Sequence, residues 1–289
     1  MLQARLLYGF LMIAAFLAIL VADLWFAPYY PLFAVLFSIV TWLAAQELSH
    51  LIRVLPIPVS VRFSQWGSLV IGLATWWAAF LGEGSPVTLN LLPPLAVLVL
   101  FGMLAFLLAA WQFHAPGTSV LTIAGHLLIF FYVGVLGSFV AQVRWLHEKP
   151  LWGTVAFLLM VFTAKFCDIG AYFTGRFLGR HKLSPTLSPG KTWEGSCGGL
   201  LTAVAIAWCG ARLGEWMVGE PILPDGRVLL FGVVIGLTAQ IGDLMESLIK
   251  RDCQRKDASS AIPGFGGVLD VVDSILFCGP VAYLFFSLA

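Results

Sequence analysis

The chain has 289 residues, of which 60% are hydrophobic and only 11% are charged, and its formal net charge is +1. A soluble domain of this length needs a far more polar surface. The composition therefore excludes an ordinary soluble globular protein and favours a membrane protein.

The apolar residues are grouped in blocks that are long enough to form membrane-spanning helices. A hydrocarbon core of ~30 Å requires about 20 helical residues. The blocks are continuously apolar rather than alternating, which favours helices over a membrane barrel. Nine blocks are found, at residues 6–27, 30–49, 66–82, 88–112, 119–142, 151–174, 195–213, 228–249 and 267–288. The sequence thus predicts an all-α, polytopic integral membrane bundle of about nine transmembrane helices.

Lys and Arg are distributed unequally between the two sides of such a bundle. With the loops assigned alternately, eleven cations share the side of the N-terminus: Arg5, Arg53, Arg62, Arg176, Arg180, Lys182, Lys191, Lys250, Arg251, Arg255 and Lys256. The other side has four: Arg144, Lys149, Arg212 and Arg227. Because cytoplasmic loops are enriched in positive residues, we expect a cytoplasmic N-terminus and an external C-terminus in the inner (cytoplasmic) membrane of a cell.

The two halves of the chain differ in polarity. Residues 1–150 form hydrophobic helices with few groups able to do chemistry, whereas in residues 151–289 polar side chains crowd helix ends and two predicted cytoplasmic loops. We therefore divide the chain into an N-terminal transmembrane region and a C-terminal catalytic region. The five cysteines are scattered without metal-binding or disulfide spacing.

The first polar stretch lies inside the sixth block. Lys165 and Asp168 are three residues apart, so they share a helix face and can form an ion pair. Charges within a membrane helix are costly and usually face a cavity or each other. A pair that only stabilises packing is the alternative, but the position of Asp168 near the predicted cytoplasmic end favours a functional role.

The second polar stretch, residues 175–195, is rich in cations, hydroxyls and glycines, which are the groups that hold phosphates. Gly190-Lys191-Thr192 resembles the end of a P-loop, but that motif requires glycine where Pro185 stands. The sequence therefore excludes a P-loop, and an ordinary positive cytoplasmic loop remains the alternative.

The third polar stretch begins in the eighth block. One helix face carries four polar residues at i, i+3, i+4 and i+7: Asp243, Glu246, Ser247 and Lys250. A similar arrangement starts the next block: Asp270, Asp273 and Ser274. Two carboxylate-bearing stripes joined by a basic, glycine-rich loop can hold hard cations such as Mg²⁺, which takes one or two protein carboxylates plus substrate phosphates. Two salt-bridged stripes without a metal are the structural alternative.

Here the sequence resembles a known family. The run Ser247-x2-Lys250-Arg251-x4-Lys256-Asp257-x5-Pro263-Gly264-x-Gly266-Gly267-x2-Asp270-x2-Asp273-Ser274 is similar to the signature of phosphatidate cytidylyltransferases, also called CDP-diacylglycerol synthases. The upstream run from Asp168 through Lys182 to Thr192 resembles the same family in the same order. The likeness covers roughly residues 160–285, and the N-terminal helices match only in hydrophobicity.

The resemblance implies transfer of CMP from CTP to phosphatidate, giving CDP-diacylglycerol and pyrophosphate, at the cytoplasmic membrane face. The implied catalytic residues are Lys191, Lys250, Arg251, Asp243 and Asp270. The implied substrate-binding residues are Asp168, Arg176, His181, Lys182, Ser188, Thr192, Lys256, Asp257, Gly264, Gly266 and Gly267. The implied metal ligands are Asp243, Asp270 and Asp273, with Mg²⁺ as cofactor and a second, monovalent cation left open. The expected partners are CTP, phosphatidate and the membrane, without nucleic acid, and a homodimer is left open.

Two positions depart from the family pattern, which has His where this chain has Phe265 and Arg where it has Val271. A weakened or silent paralogue is therefore an alternative to an active enzyme. A secondary transporter is another, but it predicts related halves and broken helices at the membrane midplane, and this sequence has lopsided halves. A different lipid-linked transferase, such as a polyprenol kinase or a CDP-alcohol phosphotransferase, is the nearest rival; the latter requires a denser Asp-x3-Asp pattern.

Overall fold

The computed structural model describes the chain except for residues 1, 78–86, 115, 260, 262–265 and 289. The side chains of residues 2–8 and 87–90 also lie outside the description.

Helices dominate the described residues. In chain order they are α1 (Leu2–Ala22), α2 (Pro31–Ile52), α3 (Val61–Leu73), α4 (Val87–Trp111), α5 (Ser119–Ile129), α6 (Leu136–Gln142), α7 (Pro150–Leu178), α8 (Trp193–Val218), α9 (Asp225–Asp252) and α10 (Val268–Ser287). A π-helical segment, Phe130–Val135, joins α5 to α6, and short 3-10 turns follow α1 and α6. The predicted all-α class is confirmed.

Eight helical segments among the described residues are long and apolar enough to cross a membrane. Large apolar side chains such as Phe10, Val99 and Phe106 are more than half exposed on them. A soluble protein rarely exposes so much apolar surface, whereas lipid covers it. The chain is a multi-pass membrane protein.

The third predicted block, residues 66–82, differs from the structure. Within the described residues it corresponds to α3, which has 13 residues and is followed by a turn at residues 74 and 75. A helix of this length is about 20 Å long, which is shorter than the hydrocarbon core. Ser60 caps α3, since its Oγ accepts a hydrogen bond from Phe63 N at 3.4 Å.

The chain forms two compact units. The first comprises Met1–Ser138 together with Cys253–Val271, and the second comprises Phe139–Asp252 together with Val272–Ala289. The division thus falls at residue 138, near the end of the predicted N-terminal region at 150. The segment from Cys253, with the basic and glycine-rich loop, belongs to the first unit although it follows the second unit in sequence.

In the second unit, α8 packs through a face of small residues. Gly195, Gly199, Ala203, Ala207 and Ala211 recur every four residues and are buried. A Cβ added at Gly199 would lie 2.8 Å from the carbonyl oxygen of Cys167 on α7. Such small residues let helix backbones approach closely in membranes. This close packing holds the polar parts of α7 and α8 side by side.

The second polar stretch forms a β-hairpin between α7 and α8, which the sequence analysis did not predict. Strands β1 (Lys182–Ser184) and β2 (Ser188–Thr192) are antiparallel, with Lys182 opposite Thr192 and Ser184 opposite Ser188. Thr192 also caps α8, since its Oγ1 accepts a hydrogen bond from Gly195 N at 3.0 Å. The hairpin therefore delivers its side chains to the start of α8.

Candidate active site

A cavity of about 390 Å³ opens in the second unit where α7, the hairpin, α8 and α9 meet. Six residues predicted to act in catalysis, substrate binding or metal binding contribute to its wall: Asp168, Arg176, Ser188, Lys191, Thr192 and Asp243. They come from three different elements, α7, β2 and α9, and are up to 75 positions apart in sequence. The structure therefore brings the first two polar stretches together with the start of the third.

Lys191 and Asp243 connect the hairpin to α9 across this cavity. Lys191 Nζ lies 2.7 Å from Asp243 Oδ2, with the two side chains 23% and 34% exposed. Lys191 Nζ also donates to the carbonyl oxygen of Gln240, at 3.5 Å. Because both charged groups remain partly open to the cavity, an incoming ligand can reach them.

Gln240 joins α9 to α8 at the same wall. Its side-chain amide oxygen accepts a hydrogen bond from Ser196 Oγ, and its Nε2 donates to the Ser196 carbonyl oxygen at 3.0 Å. Neither residue was predicted from the sequence, because a single amide or hydroxyl in an apolar block gives no distinctive pattern. They hold α8 and α9 in register beside Lys191.

Three carboxylates converge next to the cavity. Asp243 and Glu246 on α9 and Asp273 on α10 each offer an oxygen within 4.8 Å of the other two. Glu246 and Asp273 are 1% and 5% exposed, respectively. Oxygen donors at such a spacing suit a hard divalent cation. The residues present therefore fit Mg²⁺.

Lysines surround these carboxylates. Lys165 Nζ donates to Ser274 Oγ at 2.7 Å and lies 3.4 Å from Asp273 Oδ1 and 3.5 Å from Asp168 Oδ2. Lys250 Nζ donates to Glu246 Oε2 at 2.5 Å.

We call seven residues the charged cluster: Lys165, Asp168, Lys191, Asp243, Glu246, Lys250 and Asp273. When all are ionised, its four carboxylates exceed its three ammonium groups by one charge. One divalent cation would reverse that sign and so favour a phosphate.

Glu246, Lys165 and Ser274 are members of this arrangement that were not assigned to the site from sequence. The signal was present, since Glu246 belongs to the stripe of Asp243 and Lys250, and Lys165 is an intramembrane charge. Ser274 Oγ donates to Asp168 Oδ2 at 3.0 Å and thereby links α10 to α7. The predicted pairing of Lys165 with Asp168 is present at 3.5 Å.

Asp270 lies in the first unit, in the first turn of α10. Its carboxylate accepts hydrogen bonds from the backbone of Gly267 at 2.6 Å and of Ala258 at 3.1 Å. Gly266, with a φ of 98°, adopts the left-handed conformation that favours glycine. Asp270 as a metal ligand stays a prediction, as does its role in catalysis.

Lys256 and Asp257 line a separate cavity of about 460 Å³ in the first unit, together with His50 and Arg255. All four side chains are exposed. Gly264 and Phe265 lie outside the described residues, and Val271 follows Asp270 in the first turn of α10. The roles of Lys256, Asp257, Gly264, Gly266 and Gly267 in substrate binding stay predictions.

Three further predicted residues lie at the exposed edge of the hairpin in the second unit. His181 Nδ1 is 2.6 Å from Glu194 Oε1, and Arg251 Nε donates to the Leu187 carbonyl oxygen at 3.2 Å. Lys182 is exposed on β1. The contacts of His181 and Arg251 stabilise the hairpin. The predicted functional roles of all three residues stay predictions.

Comparison with known proteins identifies the family of the chain. A family model described as "Cytidylyltransferase family" matches residues 3–289. The chain is 38% identical over 163 residues to the phosphatidate cytidylyltransferase of Haemophilus influenzae, covering 55% of this chain and 54% of that protein. Over 160 residues it is 42% identical to the Brucella suis protein of the same name, covering 54% of each.

The phosphatidate cytidylyltransferase of Bacillus subtilis is 34% identical over 157 residues, covering 54% of this chain and 55% of that protein. The chain thus spans about half the length of the curated relatives it matches. The family model, in contrast, extends over nearly the whole chain, including the N-terminal helices, which by sequence had shown only hydrophobicity. Since the match includes both units and the charged cluster, the chain belongs to the cytidylyltransferase family.

Proposed function

We propose that the chain transfers CMP from CTP to phosphatidate, giving CDP-diacylglycerol and pyrophosphate. The observation that carries the proposal is the cavity in the second unit, where Lys191 and the hairpin hydroxyls stand next to three convergent carboxylates. Curated relatives named phosphatidate cytidylyltransferase support the choice of substrates.

The chemistry matches the residue types in the cavity. The nucleophile is an oxygen of a phosphate monoester, which is already largely anionic at neutral pH because its second pKa is about 6. The barrier therefore lies in bringing two polyanions together, so that positioning and charge screening dominate catalysis. Lys191 and Arg176 supply positive charge to this cavity, while Ser188 and Thr192 supply hydroxyl donors.

The carboxylates have a distinct role in this proposal. Asp243, Glu246 and Asp273 would hold Mg²⁺, which when bound neutralises phosphate charge and aligns the attacking and leaving oxygens. Lys165 and Lys250 keep two of these side chains in place through contacts of 3.4 and 2.5 Å, respectively. Lys191, whose partner Asp243 is also a proposed ligand, is the lysine that can turn toward a bound phosphate.

A membrane position for this site follows from its two substrates. CTP is soluble and phosphatidate is a lipid, so they meet only at an interface. The positive-inside distribution supports a cytoplasmic location of the hairpin and of the loop after α9, and CTP is available on that side. We therefore propose an active site at the cytoplasmic face of the inner membrane.

The position of an isotopic label in CTP tests the reaction. Purified protein in detergent, given phosphatidate and Mg²⁺, is expected to move a label from the α-phosphate of CTP into the lipid phase. A label in the γ-phosphate is expected to remain water-soluble as pyrophosphate. A lipid kinase would give the opposite pattern, and a silent paralogue or a transporter would label no lipid; either outcome contradicts the proposal.

A further inference from the structure

One acidic residue of the N-terminal half makes contacts that none of the predicted roles explains. Glu47 lies in α2, in the first unit, and is only 7% exposed. An acidic side chain buried in an apolar helix is costly unless partners stabilise its charge. The partners of Glu47 are therefore informative.

Those partners are more than 200 residues away in sequence, in the segment that completes the first unit. Glu47 Oε1 accepts hydrogen bonds from Ser259 Oγ at 2.7 Å and from Val268 N at 3.0 Å. Glu47 Oε2 accepts one from Leu269 N at 2.8 Å. The two backbone donors belong to the first turn of α10, whose N–H groups have no partner within the helix and whose dipole favours a negative charge.

Asp270 holds the same segment from its other side. Its contacts with Ala258 N and Gly267 N bring these two residues together at the start of α10. The two acids thus contact adjacent residues on both sides of the loop. Before the loop, Asp270 contacts Ala258 and Glu47 contacts Ser259. After it, Asp270 contacts Gly267 and Glu47 contacts Val268. Charge-assisted hydrogen bonds of this kind are shorter and stronger than neutral ones.

Gly267 lies directly against the carboxylate of Glu47. A Cβ added there would overlap the carboxylate of Glu47, and Gly267 lacks the positive φ of Gly266. Glycine is therefore required at 267 for space rather than for backbone conformation. A family-signature position is thus dictated by a side chain from an N-terminal helix.

We infer that Glu47 is a positioning residue that fixes Ser259 and the start of α10, and thereby positions Lys256, Asp257 and Gly267 for phosphate binding. The inference rests on the proposed function for its catalytic consequence, while the anchoring itself is independent of it. The N-terminal half then has a role in the reaction and not only in membrane anchoring.

Limited trypsin digestion of the full chain in detergent tests the anchoring without an activity assay. Glu47→Gln keeps the size of the side chain but removes its charge and replaces an accepting oxygen by a donor. Cleavage after Arg255 and Lys256 is expected to accelerate about tenfold, while cleavage after Arg176 and Arg180 keeps its wild-type rate. Gln46→Ala, which removes the 3.2 Å hydrogen bond from Gln65 on α3, is the matched control and is expected to leave all four rates unchanged.

The catalytic consequence is tested by kinetics of the same proteins. Glu47→Gln is expected to lower kcat/KM for CTP about 10- to 100-fold, as expected for lost charged hydrogen bonds. Gly267→Ala acts on the same contact, so its effect and that of Glu47→Ala are expected to be non-additive in a double-mutant cycle. If Glu47→Gln does not fold, digestion and kinetics of Gly267→Ala alone decide.

Each outcome has a defined meaning. The anchoring is overturned if Glu47→Gln is cleaved after Arg255 and Lys256 at the wild-type rate. If Glu47→Gln does not fold, the same result for Gly267→Ala overturns it. Faster cleavage with unchanged kcat/KM, or fully additive effects in the cycle, overturns the positioning role. If the wild-type protein transfers no CMP, the proposed function fails, whereas accelerated cleavage would still support the anchor.

Discussion

At the scale of single residues, Asp243 is the side chain on which both parts of the candidate site depend. It pairs with Lys191 at 2.7 Å and belongs to the carboxylate group of Glu246 and Asp273. Asp243→Asn is expected to abolish CMP transfer, because an amide is a far weaker ligand for a hard cation and a poor partner for a lysine.

Asp252→Asn is the matched control for Asp243→Asn. It makes the same chemical change on the same helix at an exposed position and is expected to retain activity. The rate of product formation is measured for both variants at a range of Mg²⁺ concentrations. Normal turnover by Asp243→Asn would remove this residue from the metal site.

Asp270→Asn is also expected to abolish turnover. The two backbone hydrogen bonds accepted by its carboxylate would weaken, and the metal ligand implied by the family resemblance would be lost. Direct measurement of Mg²⁺ binding to the variant, which requires no turnover, separates these causes. A variant with full activity would contradict both.

The two departures from the family pattern give a second residue-scale prediction. Losing one cationic contact to a phosphate costs on the order of 1.5–3 kcal/mol, which weakens an enzyme without silencing it. Phe265→His combined with Val271→Arg is therefore expected to give activity equal to or higher than that of the natural chain. An inactive natural chain whose double variant gains CMP transfer would identify a degenerate paralogue.

At the scale of elements, the close approach of α7 and α8 positions the cavity. Gly199→Val would place a branched side chain against the Cys167 carbonyl oxygen and Ala171 Cβ, which lie 2.8 and 3.0 Å from a Cβ at this position. We expect a loss of about 1–3 kcal/mol in the free energy of unfolding. Leu201→Val is the control, because Leu201 lies on the same helix and is 74% exposed. Equal thermal unfolding temperatures in detergent would contradict the packing argument.

The elements also show how far the sequence was sufficient. Long apolar blocks predicted most helices, since the membrane thickness determines their length. The hairpin was missed because Lys182–Thr192 is short, polar and interrupted by prolines, so that no alternation marks its strands. The stripe of Asp243 and Lys250 was visible from helical spacing, whereas the position of Asp273 beside it depends on tertiary packing. Glu47 was overlooked, although a lone acid in an apolar block is itself a signal.

At the scale of the whole molecule, the charge distribution constrains the topology. The excess of eleven cations over four is obtained only when the loops are assigned with an odd number of crossings between Ile52 and Leu91, so the charge distribution predicts such a crossing. If that segment returned to the same side, the counts would become eight and seven, and the positive-inside bias would vanish. Because α3 alone is too short to span the hydrocarbon core, a topology measurement is most informative for this region.

Reporter fusions measure the topology. Fusions after residues 62, 182 and 256 are expected to report the cytoplasm, and one at the C-terminus is expected to report the outside. A fusion after residue 147, between α6 and α7, is the control that is expected to report the outside. A cytoplasmic C-terminus would contradict an odd number of crossings in the Ile52–Leu91 segment, provided that the N-terminus is also cytoplasmic.

The order in which the ribosome makes this chain gives the discontinuous first unit a further consequence. Glu47 is synthesised early, but its partners Ser259, Val268 and Leu269 emerge only with the last 31 residues. Until these residues are synthesised, Glu47 lacks the hydrogen bonds that stabilise its buried carboxylate. We therefore expect a chain that lacks these partners to be recognised as incompletely folded. A chain ending at Asp252 should be degraded faster in a pulse-chase experiment than the same truncation carrying Glu47→Leu, because only the former retains the unsatisfied acid.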